Sequence, residues 1–106
     1  MPDYKATPVN VKAAINASTD KKWTATENGW LHINTSSLTL PSVPSNSRVY
    51  IDGVVVARSE YNSGATFWRS DEATVAPISL GDIVTYSSSG YNGDSLEINF
   101  YPCKAV

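Results

Sequence analysis

The chain has 106 residues, with eight basic and ten acidic side chains and a formal net charge of −2. This length suits a single domain. No apolar run approaches the roughly 18 residues that a membrane-spanning helix needs, so we expect no membrane insertion. The basic residues are scattered, which argues against a nucleic-acid partner, because phosphate recognition needs a basic stripe. Serine, threonine and asparagine together account for 31 residues, a composition typical of short strands joined by turns rather than of helices.

Residues 8–17 near the amino end have two interpretations. Their apolar residues fit one face of a short helix, with Thr7 as the cap and Pro8 at the first helical position. The same residues also alternate with polar ones, as in a strand. Both interpretations remain open, so residues 1–20 are predicted to be an arm or a short helix that precedes a β-sandwich domain of residues 21–106.

Two dipeptides that favour tight hairpin turns lie between alternating runs. Asn28-Gly29 separates two runs that each contain a tryptophan, and Asp52-Gly53 lies within the alternating residues 48–58. Both central residues of a type I′ turn need a positive φ, which glycine, asparagine and aspartate tolerate. The sequence therefore predicts a β-hairpin at each dipeptide.

Polar or proline-containing segments predict loops. Residues 41–47 contain two prolines, each of which removes a donor from a strand ladder. Residues 60–72 predict a loop, a short strand and a second loop that includes residues 70–72, and residues 87–94 predict a polar loop before the last strand.

The remaining segments predict strands at the spacing of a sandwich. Residues 74–80 are extended, and Pro77 places them at a sheet edge or a bulge. The last strand has apolar residues at every second position, namely Leu96, Ile98 and Phe100. Seven or eight strands result, and the predicted fold is an all-β, jelly-roll-like two-sheet β-sandwich. The run of three valines at residues 54–56 is apolar on both faces and suggests burial on both sides.

Four motifs follow one another in a characteristic order. They are an aromatic, Thr-Ala, Gly-aromatic run (residues 23–30), a Val-x-Ile-Asp-Gly hairpin (49–53), a Pro-x-x-x-Gly-Asp-x-Val strand-turn-strand (74–84) and an aromatic-aromatic-Pro end (98–102). In type and order they resemble the motifs of small phage tail-fibre domains, and the stretch over which they are spread, residues 23–102, is most of the chain.

This resemblance implies a compact jelly-roll domain that forms a homotrimer on a phage or prophage virion, after synthesis in the cytoplasm of the bacterial host. Such domains contact other virion proteins and mediate attachment or the recognition of a host surface glycan or receptor. The chain begins at Met1 without a fibre shaft or heptad repeats before the domain, so we expect a stand-alone virion accessory protein, such as a tail-tip or capsid decoration protein, rather than a fragment of a fibre. The alternative from another class is a monomeric carbohydrate-binding module.

Catalytic chemistry finds little support in the sequence. His32 is the single histidine and no Gly-x-Ser-x-Gly motif accompanies it, so it is predicted to be a surface or subunit-interface residue. Asp71 and Glu72 are adjacent and would point apart in an extended segment, whereas Asp82 and Asp94 suit turns. We therefore predict a non-enzymatic protein without catalytic residues, metal or cofactor.

Cys103 is the single cysteine. One thiol cannot close an intramolecular disulfide or form a zinc cluster. Cys103 is predicted to be an inert tail residue or to pack against a neighbouring subunit.

Aromatic residues in the irregular segments provide the candidate binding surface. Trp23 and Trp30 are predicted to pack in the core or on a sheet face. Loops usually carry recognition on such scaffolds, and aromatic rings beside amides suit both sugar rings and subunit interfaces. The candidate ligand-binding residues are Tyr61, Asn62, Phe67, Trp68, Arg69, Tyr91 and Asn92.

Overall fold

A computed structural model describes residues 2–39, 45–61, 68–89 and 95–103, with the backbone alone at 36–39, 45, 59–61, 68–72, 89 and 95. This part of the chain forms one short helix and eight strands. In chain order they are β1 Val9–Asn10, α1 Val11–Ala17, β2 Trp23–Thr24, β3 Gly29–Thr39, β4 Ser45–Ile51, β5 Val54–Tyr61, β6 Trp68–Ile78, β7 Ile83–Ser89 and β8 Ser95–Pro102. The single helix of the described residues, α1, has seven residues and is too short to span a membrane.

The strands form two antiparallel four-stranded sheets. The first sheet has the order β1-β8-β3-β6, and the second has the order β2-β7-β4-β5. Each of the first four strands pairs with one of the last four: β1 with β8, β2 with β7, β3 with β6 and β4 with β5. The chain is therefore arranged like one long hairpin that is folded into two layers. This is the jelly-roll arrangement. The predicted all-β two-sheet sandwich is confirmed.

The hydrophobic core lies between the two sheets. The predicted inward residues of the last strand, Leu96, Ile98 and Phe100, are all buried, as are Leu31 and Ile33 of β3 and Val49 and Val84 of the second sheet. The indole of Trp23 packs against the ring of Phe100, with ring centroids 5.2 Å apart, so this tryptophan contributes to core packing as predicted.

The amino-terminal segment forms both a strand and a helix. Val9 and Asn10 pair with β8, and the helix begins directly after them. Val11 and Ile15 of α1 are buried in the core, which fixes the helix against the sandwich. The prediction of Thr7 as the cap is wrong, because the Asn10 side chain accepts a hydrogen bond from the Ala13 backbone N–H at 3.0 Å and caps α1.

The predicted hairpin at Asn28-Gly29 is wrong. The strand before it, β2, pairs with β7 in the second sheet, whereas β3 after it pairs with β6 and β8 in the first sheet. Gly29 does not have a positive φ, which among the described glycines is found at Gly53 and Gly81. The segment therefore crosses between the two sheets instead of turning back within one.

The second predicted hairpin is confirmed. Asp52 and Gly53 have φ values of 50° and 81°, and they join β4 to β5 with Ile51 opposite Val54. Two central residues with positive φ match the twist of the flanking strands.

Several predicted loop residues lie in strands. Ser45–Ser47 opens β4, residues 70–72 lie within β6, and residues 87–89 end β7. Their cross-strand partners are largely polar, as where Ser47 lies opposite Ser59 and Ser88. Pairs of hydroxyl side chains are compatible with a strand ladder. The prediction of loops from polar composition was therefore wrong for these residues.

The two predictions about strand edges have different outcomes. Pro77 lies in β6, an edge strand of the first sheet, as predicted.

The valines of β5 are not buried on both sides within one chain, since Val54 is 65% exposed and Val55 is 43% exposed. The register shift between β4 and β5 beside Val56 changes the alternation along this edge strand.

Candidate functional site

The ends of six strands gather at one end of the sandwich, which we name the connection end. The sequence intervals between them, residues 40–44, 62–67 and 90–94, join β3 to β4, β5 to β6 and β7 to β8. The register places their flanking residues side by side within each sheet: Thr39 opposite Trp68, Ser45 opposite Tyr61, Asn46 opposite Ser89 and Ser36 opposite Ser95. The ladder thus brings together the strand ends that lead into three separate connections.

Three of the seven predicted ligand-binding residues lie at the connection end. Tyr61 is the last residue of β5, Trp68 is the first of β6, and Arg69 follows it opposite Leu38. The other four predicted residues, Asn62, Phe67, Tyr91 and Asn92, lie outside the described residues. In chain order they fall within the intervals that the gathered strand ends flank.

The opposite end of the sandwich, the closed end, is fixed by side-chain hydrogen bonds to backbone. The Leu80 N–H donates to Oδ1 of Asn28 at 2.8 Å, and the Ile83 N–H donates to Oδ1 of Asp52 at 2.9 Å. The Ser79 N–H donates to Oδ2 of Asp82 at 2.9 Å, which confirms Asp82 as a turn former. These bonds satisfy turn amides, so the closed end has a structural role.

The side of the first sheet that points away from the core, which we name the outer face, carries an aromatic cluster. Tyr4 contacts His32 edge-on with ring centroids 5.2 Å apart, and Tyr101 lies 5.4 Å from Tyr4 and 4.6 Å from His32. His32 is therefore a half-buried residue on the sheet surface, as its alternation with Leu31 and Ile33 predicts. Trp30 is directly opposite Tyr101 in the ladder and extends the cluster.

Polar side chains continue the outer face beyond these rings. Asn34 is paired with Glu97, His32 is paired with Asn99, and Asn99 is in turn paired with Asn10. A groove of about 300 Å³ lies beside β8, next to β1 and α1, and two of the outer-face residues reach it. It is lined by Asn10, Lys12, Leu96, Glu97, Ile98 and Asn99.

The outer-face residues were not singled out as a site from the sequence. The sequence does contain one indication of this face, which is the alternation in β3 and β8. Buried apolar residues occupy every second position of these strands, and the residues between them point outward. That signal shows which residues point outward. It does not show that β3 and β8 lie side by side.

A second cleft, of about 420 Å³, lies on the other side of the sandwich along the edge strand β5. It is lined by Val55, Val56, Ala57 and Arg58, and it reaches Thr74 of β6. Its lining is a short apolar run with one cation and one hydroxyl.

The sequence predicted neither catalytic residues nor a metal site. Among the described residues, no three histidine, cysteine, aspartate or glutamate side chains lie close enough together to hold a metal ion. The side chains of Asp71 and Glu72, and all of Asp94, are outside the described part of the chain. Cys103 is exposed and free, and its backbone N–H donates to the carbonyl oxygen of Asn28.

No protein-family model matches the chain, and no curated protein sequence matches it.

Proposed function

We propose that the chain is a non-enzymatic structural protein of a phage or prophage virion, of the tail-fibre or tail-tip type, that mediates attachment or recognition of the host surface. The observation that carries this proposal is the gathering of six strand ends at one end of a jelly roll, with Tyr61, Trp68 and Arg69 among them. Jelly rolls recur in viral capsid and lectin domains, and connections on a rigid scaffold commonly carry recognition. The tail-fibre-like order of four sequence motifs supports the virion assignment.

The proposed working unit is a homotrimer. Val54 and Val55 are 65% and 43% exposed on the edge strand β5, beside the cleft of about 420 Å³. Exposed apolar side chains on a sheet edge favour contact with another chain. Three copies would present three connection ends together, so that weak contacts with a repetitive host surface add up through avidity.

Light scattering of the purified protein tests the oligomeric state. Three chains of 11.5 kDa would give a mass of about 35 kDa, and we expect Val55→Lys to shift this species towards the monomer. A wild-type mass of a single chain would exclude the trimer and favour the alternative, a monomeric carbohydrate-binding module.

Virion labelling and adsorption tests address the role. Antibodies against the protein should label one defined part of the virion, where a tail position supports attachment and a capsid position favours a decoration protein. Excess purified protein should block adsorption of the phage to its host. Tyr61→Ala and Trp68→Ala should abolish this competition, while Tyr50→Ala on the second sheet should not. Equal competition by all variants would contradict recognition through the connection end.

A further inference from the structure

We propose that the outer face of the first sheet is a binding site for a neutral saccharide chain, contacted by Tyr4, Asn34, Glu97 and Asn99. This site goes beyond the proposed function, because it lies on a sheet surface and not at the connection end. It also does not depend on the number of subunits or on attachment to a virion.

An aromatic platform forms one part of the site. Tyr4 is 62% exposed, and its ring rests on His32 and Tyr101 at centroid distances of 5.2 and 5.4 Å. The amino-terminal arm that carries it is fixed to the last strand, since the Asp3 N–H donates to the carbonyl oxygen of Pro102 at 2.8 Å. A supported, exposed tyrosine offers an apolar ring face together with a hydroxyl, which matches the C–H face and the hydroxyl edge of a pyranose.

A row of planar polar groups lies next to the platform. Asn34 is opposite Glu97, and Asn99 is opposite His32, so the register places them on neighbouring positions of one face. Directly opposed residues of an antiparallel pair have Cβ atoms about 4.5–5.5 Å apart. The side chains of Asn34, Asn99 and Glu97 form no hydrogen bond or ion pair with the described part of the chain.

The chemistry of these groups selects the ligand class. Each amide provides donors and an acceptor, and the carboxylate accepts, which together match the mixed donor and acceptor hydroxyls of a sugar. A phosphate or another anion is disfavoured, because Lys12 is the single cation among the described residues that line the groove and the carboxylate of Glu97 lines it as well. A purely apolar ligand would leave the amides without partners.

The size of the groove also fits. Its volume of about 300 Å³ is at the lower end of the roughly 300–1,000 Å³ range of small-molecule sites. Of the four proposed contacts, Glu97 and Asn99 line the groove. One or two sugar units held there would leave the rest of the saccharide to contact Asn34 and Tyr4 on the outer face.

Titration with defined oligosaccharides tests the proposal. Cellohexaose, maltohexaose, chitohexaose and mannohexaose would be added at concentrations on the order of millimolar, the range of weak single sites, with calorimetry and amide NMR shifts as readouts. At least one should bind and shift the signals of residues 32–34 and 97–101. Asn34→Ala and Glu97→Gln should each weaken binding about three- to tenfold, as expected for one lost hydrogen bond. Tyr4→Ala should weaken it about tenfold or more.

Matched controls separate binding from folding. Tyr50→Ala and Thr85→Ala change paired residues of the second sheet and should leave the affinity unchanged. Asn34→Ala and Glu97→Gln are exposed substitutions that should not lower the melting temperature. If Tyr4→Ala lowers only the melting temperature and all three variants bind like wild type, the aromatic cluster merely anchors the arm and the proposal is overturned. Absence of binding by all four hexasaccharides, or shifts confined to the connection end, would also overturn it. The trimer and adsorption tests are unaffected by either result.

Discussion

Gly29 lies so close to Phe100 that a Cβ atom at position 29 would overlap both the Phe100 ring and the Tyr101 carbonyl oxygen. The φ of Gly29 is not positive, so a glycine is needed here for this close contact and not for a turn. It allows the start of β3 to lie directly against the end of β8, where Phe100 and Trp23 pack on each other. Through Phe100, this contact between β3 and β8 also meets Trp23 of the second sheet, so it contributes to the packing of the two sheets at the closed end.

Gly29→Ala should destabilise the protein by about 1–3 kcal/mol, because the added methyl group overpacks a buried contact between backbone and ring. Urea unfolding followed by tryptophan fluorescence at a fixed protein concentration would measure the change. Gly53→Ala is the comparison, since position 53 has open space and carries only the strain of its φ of 81°. A Gly29→Ala midpoint equal to that of wild type would show that the contact is not tight.

Asp52→Ala should cost about 1–2 kcal/mol. It removes the acceptor of the Ile83 N–H and places alanine at a φ of 50°. Asp52→Asn retains an acceptor and tolerates that backbone conformation, so its thermal unfolding should stay within about 0.5 kcal/mol of wild type. If both variants lose the same stability, the carboxylate charge and not the turn geometry is what matters.

Asn10→Ala should lower stability by about 1 kcal/mol, because it removes the side-chain cap of α1. The Ala13 N–H would lose its partner at the start of a helix that places Val11 and Ile15 in the core. Asn10→Ser can cap in the same way and should restore most of the loss. Thermal unfolding monitored by circular dichroism provides the comparison, and a serine variant as unstable as the alanine variant would argue against capping.

Ser47→Ala should leave the stability unchanged or raise it by about 1 kcal/mol. Ser47 is fully buried, and its Oγ has no hydrogen-bond partner within the described part of the chain. A buried hydroxyl without a partner carries an uncompensated desolvation cost, which alanine removes.

Ser87→Ala is the matched control for this substitution. Ser87 is exposed, with its Oγ 3.5 Å from the Tyr50 hydroxyl, and its change should stay within about 0.5 kcal/mol. A loss of more than 1 kcal/mol for Ser47→Ala would mean that the buried hydroxyl is bonded.

The parts of the fold that depend on residues close together in the sequence could be predicted from it. The Asp52-Gly53 turn and the inward residues of β8 follow from local backbone preference and from a period of two. The sheet membership of β2 and β3 could not, because it depends on contacts between distant segments, such as Gly29 against Phe100. Asn28-Gly29 has the local signature of a hairpin, yet the Asn28 side chain accepts from Leu80 of another segment instead.

The candidate site was predictable only in part for the same reason. Tyr61 and Trp68 were identified by their residue type, but β5 and β6 extend further than the polar composition around them suggests. The outward direction of His32 follows from alternation. Its contacts with Tyr4 and Tyr101 bring together the amino-terminal arm and the last strand, and no local pattern encodes that meeting.

The position of Cys103 has a practical consequence. It is exposed, it is the single cysteine of the chain, and it pairs with Pro2 beside Asn28 at the closed end. A maleimide linker would therefore attach to one defined point, at the end of the sandwich opposite Tyr61 and Trp68. Molecules immobilised on a biosensor chip through this thiol would all present the connection end to the flowing analyte.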